Sequence, residues 1–423
     1  MKLNFARVVA TLHLIVFILP SHVRSEEKPF RPEPGKFPPI EKAHAYRGEL
    51  TFVDHANRRG SIRIDGNGRF RFTRPSPFAL LPYGIVKYHG APSDLRDIPL
   101  GTVMHVKAFL PPDPKTSSVP VLPSDNRLKR DGYAGTGVAP AENHVYLLED
   151  EPSHCKRLGL VWKIQEVELK DNAGIIVAHR MSKSGNGDAH KETFSIDAAT
   201  RFWRGREQLH ISDLTDKNVL TENGIESLKD GVVFLGITWK PTPGGVFKRF
   251  HLRDIWLDKL AMERATHLQN ETHKKFIMGR WMPGWVDKVE YGKFGQAKIA
   301  VSLFGGMDDS LYADFKQGQK AMLAASENTL KHWAGGTAGT AQVASQGIVL
   351  DVSKPNKTVP LGSSGIQITL KTDLVTEGFR TGKVIRIRPE SWPLLEVPRE
   401  EYINHKRDGI EKRFPTPDIF PKY

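Results

Sequence analysis

One cysteine, Cys155, stands in 423 residues. A single thiol cannot build an internal disulfide framework. For an exported chain, that favours a bacterial periplasm or cell surface over a eukaryotic secreted setting. Catalytic signatures are equally scarce. The sixteen histidines are scattered, with no His-Glu-x-x-His pair among them. The nearest pairings are His251 with Asp254 and His267 with His273, and both read as solvated or capping groups. No Gly-x-Ser-x-Gly elbow occurs. The closest match to a phosphate loop, Gly378-Phe379-Arg380-Thr381-Gly382-Lys383, is a residue short between its glycines and lacks the following Ser or Thr. It also leads into a strand pattern where a phosphate loop would lead into a helix. No catalytic residue, cofactor or resident metal is therefore expected, and an enzymatic role is left open but disfavoured. Past the N-terminus no apolar run approaches the length that spans a bilayer.

The N-terminus carries the one long apolar run. Lys2 and Arg7 give it a basic start, Val8 to Leu19 is apolar apart from Thr11 and His13, and Pro20 ends it. Val23-Arg24-Ser25 offers small residues at the positions a signal peptidase reads, so residues 1–25 read as a secretory signal peptide cleaved after Ser25. No Cys follows to carry a lipid anchor. Net charge is +13 over the chain, and removing Lys2, Arg7 and Arg24 leaves 13 − 3 = +10. A basic exported protein, periplasmic or at the cell surface or secreted, meets anionic glycans, cell-envelope polymer or another envelope protein.

A short pattern recurs three times: a polar turn, a glycine, then an apolar-rich strand. It reads Asp94-Leu95-Arg96-Asp97-Ile98-Pro99-Leu100-Gly101 before Thr102–Phe109, Ser227-Leu228-Lys229-Asp230-Gly231 before Val232–Trp239, and Asp373–Gly382 before Lys383–Ile387. Strand patterns precede each copy. In the first unit they are Glu49–Val53, Ser61–Asp65 and Arg69–Phe72, with His144–Leu148 as the fifth strand. The second unit runs Val161–Leu169, Ile175–His179, Phe194–Asp197, 232–239 and 247–255. The third runs Trp285–Val289, Ala297–Val301, Gly365–Leu370 and the strand after Gly382, with a Gly-rich loop over 334–347. Residues 308–333 read either as a helix, which Ala321-Met322-Leu323-Ala324-Ala325 favours by propensity, or as a loop plus strand, which the repeat places at Lys320–Ser326. Leu257, Leu260, Ala261, Ala265 and Leu268 fall at three- and four-residue steps and predict a helix. The spacing predicts a Pro-rich extended leader (26–43), barrels over 44–150, 156–257 and 280–392, a connecting helix (258–279) and a polar tail (393–423).

Five short strands per unit with a long third-to-fourth connection is the economy of an OB-type barrel. On these glycine turns and this strand order the chain resembles the tandem OB-like β-barrel repeats of uncharacterised exported bacterial proteins. The resemblance implies an all-β chain of three tandem OB-like five-stranded barrels, with a short helix between the second and third, acting as a binding or scaffold module. It carries no functional residues across. β-Sandwich repeats are the alternative fold. The densest candidate surface is in the first unit, where Arg58, Arg59, Arg63, Arg69, Arg71 and Arg74 interleave with Phe70, Phe72, Phe78 and Tyr83. Arginine pairs with phosphate, sulfate or carboxylate, and aromatic rings stack on sugars or bases. The same alternation equally puts Phe in a core and Arg in water.

Trp203, Trp239, Trp256, Trp281, Trp285 and Trp333 are candidates for a glycan groove, Trp281 and Trp285 above all, against the simpler reading that they pack the cores. The outer two barrels are expected to keep a basic face free, with Arg386 and Arg388 outward, and the middle one to be covered on both sides by the 257–278 helix and its neighbours. The leading expectation is an exported non-enzymatic binding or scaffold protein that engages anionic polymer or a protein partner. Two alternatives stand beside it: a metal- or thiol-dependent periplasmic protein using Cys155 and nearby His, and a single-stranded nucleic-acid binder, against which export argues.

Overall fold

A computed structural model describes residues 30–33, 35–55, 58–64, 75–110, 143–170, 172–182, 190–214, 231–241, 248–324, 344–354, 359–373, 375 and 379–393. The first barrel uses β1 (His44–Asp54), β2 (Arg59–Ile64), β3 (Ser76–Tyr88), β4 (Ala91–Pro92), β5 (Val103–Phe109) and β6 (Asn143–Asp150). β1 pairs with β2 and β5, β5 with β6, and β6 runs parallel to β3. The β2–β3 ladder then closes the ring, leaving β4 as an appendage of β3. The third strand expected at Arg69–Phe72 lies outside the described residues, and the strand that fills that place is β3.

Helix α1 (Glu151–Leu158) follows directly. The second barrel uses β7 (Leu160–Lys170), β8 (Ala173–Ser182), β9 (His190–Asp197), β12 (Val232–Pro241) and β13 (Lys248–Trp256). A hairpin of β10 (Arg201–Arg204) and β11 (Glu207–Leu209) is added beside β13. This ring closes where β9 meets β13 in parallel at Ser195 and His251, whose side chains are 3.1 Å apart. In both barrels the third and fifth strands are parallel neighbours, the OB strand order.

Helix α2 (Lys259–Arg280) links to the third barrel, made of β14 (Met282–Tyr291), β15 (Ala297–Phe304), β16 (Lys320–Ala324), β17 (Ala344–Ser353), β18 (Ser363–Thr372) and β19 (Val384–Pro389). A short helix, α3 (Asp309–Ala313), sits between β15 and β16. The ring β14-β15-β18-β17-β16-β19 is closed with every pairing antiparallel. The architecture is thus three closed barrels in tandem, two of five strands and one of six. Each sheet closes on itself, so the sandwich alternative falls. The sixth strand is β17, which overlaps the end of the stretch expected to be a Gly-rich loop.

Internal repetition is visible in single hydrogen bonds. The first strand of each barrel carries a one-residue bulge, after Leu50, Ile164 and Val286. A bulge bends and twists a strand, which lets one strand serve both sides of a small barrel. The recurring glycine turn docks beside that bulge. Gly101 N donates to Leu50 O and Leu50 N to Thr102 O, at 2.8 and 2.9 Å. Gly382 N donates to Val286 O and Val286 N to Lys383 O, at 2.7 and 2.9 Å. Gly101 and Gly382 have φ of +88° and +79°, the left-handed region where a side chain is strained.

The barrels meet through two joints of different chemistry. Between the first and second, Thr102 bridges to Thr238, and Val103 enters the second barrel's core. The apolar second face of β12 is covered by this contact and by α1, not mainly by α2 as expected. Between the first and third barrels lies an aromatic cluster of Tyr83, Phe109, Tyr146, Trp285 and Phe304. Phe37 of the Pro-rich leader adds its ring 4.3 Å from Trp285, and Tyr146 Oη donates to Leu361 O. Trp281 and Trp285 are 0% and 2% exposed, so neither lines a groove. Arg386 and Arg388 are likewise covered. Arg386 donates to Trp281 O at 3.2 Å, and Arg388 lies 5.4 Å over the Trp281 ring. No described helix is long and apolar enough to cross a membrane.

The packing makes an acid response predictable. Burial holds His89, His144, His251 and His273 at about 4, against an ordinary 6.5. Their folded values are depressed, so the stability tied to them is full above pH 6.5 and is lost as pH falls from 6.5 toward 4. Urea midpoints measured at pH 7.5, 6 and 5 should fall stepwise. A midpoint unchanged across that range would contradict the burial of neutral imidazoles.

Candidate functional site

The chain builds a cleft where β10, α2 and the β3–β4 turn converge. After β9, Thr200 Oγ1 donates to Leu252 O at 2.8 Å and seats the backbone beside β13. β10 then runs parallel to β13, with Arg201 opposite Asp254 and Trp203 opposite Trp256. At the hairpin tip Gly205 N donates to Asp258 Oδ2 at 2.7 Å. Asp258 also caps α2, accepting from Ala261 N at 2.8 Å, so one carboxylate ties the hairpin tip to the helix start. From the other side comes the turn His89-Gly90, with φ of +52° and +75°. Thr266 of α2 donates to His89 O at 2.7 Å. Between these parts lies a cleft of about 390 Å³, lined by Tyr88, His89, Arg201, Trp203, Arg206, Trp256, Arg264 and Leu268 among others.

Asp254 organises the charges. It accepts from Arg201 Nε and Nη2, each at 2.8 Å, from Trp203 Nε1 at 2.9 Å and from Arg253 Nε at 2.9 Å. Burial alone would raise its carboxyl, but these donors outweigh it and hold the group below the usual carboxylate range. Bidentate pairing fixes Arg201 in a plane beside Trp203, 5.7 Å from that ring. The His89 ring stacks on Tyr88 at 3.8 Å and meets Trp256 edge-on at 4.9 Å. Its Nε2 is buried with no hydrogen-bond partner. Arg206 and Arg264 are exposed and form no ion pair among the described residues. The cleft thus offers the half-buried Trp203 ring, two guanidiniums that form no ion pair among the described residues, and one imidazole nitrogen without a hydrogen-bond partner. Such a surface can stack a sugar or planar ring and neutralise an anionic substituent.

Of the residues singled out in the first barrel, the structure describes Arg58, Arg59, Arg63, Phe78 and Tyr83. Arg58 sits between β1 and β2 with φ +53°, and its Nη2 reaches Leu81 O at 3.4 Å and Gly84 O at 3.1 Å. Arg59 opens β2 near His144 and pushes that imidazole down further. Arg63 is paired with Glu49 at 3.1 Å. Tyr83 is 1% exposed inside the aromatic joint. Arg69, Arg71 and Arg74 lie outside the described residues, as does Trp333.

Cys155 and its neighbouring histidine form part of the joint between the first two barrels. The Cys155 thiol lies 3.3 Å from Glu151 Oε1, and burial followed by that carboxylate pushes it far up, away from a thiolate. The rings of His105 and His154 stack at 3.6 Å, and His105 Nε2 is 2.6 Å from Glu151 Oε2. Burial first, then His105, lowers His154, outweighing the neighbouring Glu149. Among the described residues no group of three or more His, Cys, Asp or Glu side chains is placed to hold a metal ion.

The sequence singled out neither Arg201, Arg206, Arg264 nor His89, and it offered Trp203 both as a groove candidate and as core packing. The signal existed: Arg201-Phe202-Trp203-Arg204-Gly205-Arg206 interleaves arginine and aromatic as densely as Arg69–Phe72. The sequence matches no family model, and comparison with curated proteins finds no relative.

Proposed function

We propose that this chain is an exported, non-enzymatic binding protein that holds an anionic glycan or cell-envelope polymer in the cleft between β10 and α2. The reading joins the OB-like repeat architecture to the +10 charge left once the N-terminal segment is removed, 13 − 3. The observation that carries it is the half-buried Trp203, set beside a guanidinium that Asp254 holds rigid, with Arg206 and Arg264 uncompensated at the rim. Aromatic rings give a sugar ring its stacking face, and the rim guanidiniums take carboxylate, sulfate or phosphate. Thiol chemistry is the weaker reading, because the Cys155 thiol is buried against a carboxylate.

The test is retention on sulfated and uronate polysaccharide at low salt, with release as salt rises. Arg206→Ala and Arg264→Ala remove exposed charges without touching the Asp254 network. Each should weaken polysaccharide binding roughly five- to tenfold, from about 1 kcal/mol per partly screened charge contact. Tryptophan fluorescence should respond to the polysaccharide in the native chain and not in Trp203→Phe. Single-stranded DNA is the control polyanion. Equal retention of both, unaffected by the two substitutions, would defeat the glycan reading.

A further inference from the structure

A smaller cavity, of about 60 Å³, lies where the first barrel, α2 and the third barrel meet. Arg58 reaches it from the β1–β2 connection, Arg386 from β19 and His273 from α2, while the β15 end contributes Gly305-Gly306. In an OB-type barrel the β1–β2 connection is one of the ligand-reading loops. Arg58 is held there with φ +53°, a strained conformation for a residue with a side chain. Arg386 is 8% exposed and keeps its guanidinium fixed through Trp281 O. His273 is 5% exposed, and its Nδ1 is buried with no hydrogen-bond partner. A buried polar atom left unsatisfied costs about 1–3 kcal/mol, so a bound group that satisfies it is favoured. Asp94 also borders the cavity, and Arg96 N engages its carboxylate at 3.2 Å. Beyond the lining, Asp97 and Asp308 also act on the His273 imidazole, opposed by Arg58 and Arg96.

We propose that this junction binds one small tetrahedral oxyanion of sulfate or phosphate size, held by Arg58, Arg386 and the His273 Nδ1–H. The volume fits that size: at ~10–15 Å³ per water-sized particle it takes about four to six such particles. A sugar or a nucleotide does not fit. The third wall is set by a glycine with no room for a side chain. A Cβ on Gly306, whose φ is +81°, would stand 2.7 Å from the Ile85 side chain. The anion would bridge two barrels and the helix between them, so its binding couples to how firmly they are docked.

The site is independent of the polysaccharide cleft, and its test is run on the Arg206→Ala/Arg264→Ala chain so that the cleft contributes nothing. Inorganic phosphate and sodium chloride are compared at matched ionic strength by calorimetric titration and thermal melting. Phosphate should bind at one site per chain and raise the melting temperature, because a ligand of the folded state stabilises by mass action. Chloride should not. Arg58→Asn tolerates the left-handed backbone and removes the guanidinium. His273→Leu removes the nitrogen and keeps the volume. Each should weaken phosphate binding at least tenfold while melting normally in chloride. Equal responses to phosphate and chloride would overturn the proposal and leave a water-filled cavity. Undiminished phosphate binding in both variants would do the same. Should a variant fail to fold, histidine NMR of the intact chain decides. Phosphate must raise the titration of one buried imidazole from about 4, and a titration that does not move overturns the proposal.

Discussion

Replacing Glu151 with Ala will cost about 3–5 kcal/mol of stability, the range for removing one member of a buried ion network. Glu151 is 1% exposed at the first turn of α1. Its Oε2 is 2.6 Å from His105 Nε2, and its Oε1 accepts from Trp162 Nε1 at 2.9 Å and from Arg180 at 3.3 Å. His105 belongs to the first barrel, and Trp162 and Arg180 to the second. Truncation would leave the partly covered Arg180 guanidinium, a buried indole N–H and an imidazole without this partner at once. Burial alone would raise the carboxyl, yet His105 and the arginines outweigh it and hold the group well below its ordinary 4.5. A depressed folded value means that this stabilisation is present above the unfolded value and is lost as pH falls through the folded one. Glu151→Gln keeps the shape and one acceptor but not the charge, and should fall between wild type and Ala. Urea unfolding at pH 7 measures all three chains. A loss under 1 kcal/mol for Ala would mean that the network is not the lock between the barrels.

What the sequence made legible follows from where its local signals agree. The glycine turns, the alternating strands and the apolar stripe of α2 all carry short-range patterns, and the barrels stand on them. β16 (Lys320–Ala324) was legible only through repetition, because Ala321-Met322-Leu323-Ala324 favours helix by propensity. β3 was hidden by its breakers. Pro77, Pro82 and Gly84 read as loop, yet Pro82 and Gly84 fall inside the register shift between Leu80 and Ile85 opposite β6, where no regular ladder bond is required. α1 is too short to show a helical period. Its marks were its caps, Asp150 accepting from Ser153 N at 3.0 Å and Gly159 at φ +67°.

The cleft between β10 and α2 was hidden for a different reason. Its parts come from β10, α2 and the turn after β3, and Thr266 Oγ1 meets His89 O across 177 residues of sequence. Nothing local marks Arg206 and Arg264 as neighbours. The Arg386-Ile387-Arg388 alternation misled in the opposite sense. Alternation says which side of a barrel wall a side chain leaves from. It does not say whether a helix end or a tryptophan covers that side, and here Trp281 and Trp392 do.

The joint between the first and third barrels should fail separately from the Glu151 joint. Trp285→Ala is expected to cost about 3–5 kcal/mol, the range for emptying a buried aromatic site. Trp285 is 2% exposed and holds Phe37, Tyr83 and Phe304 at centroid distances of 4.3, 5.4 and 5.4 Å. The site cannot collapse easily, because each of those rings is fixed by a different element: the leader, β3 and β15. The walls are already at contact. A Cβ on Gly362 would lie 3.0 Å from both Tyr83 and Tyr146, so the backbone before β18 has no slack to fill the void. The substitution should therefore open this joint and spare the other. Hydrogen exchange reads the difference directly. Protection should drop in Phe37–Ala43 and Leu361–Ser363, and stay unchanged in β7 and β8. Loss of protection spread evenly over all three barrels would instead mean that the chain unfolds as one unit and that the aromatic cluster is no separate joint.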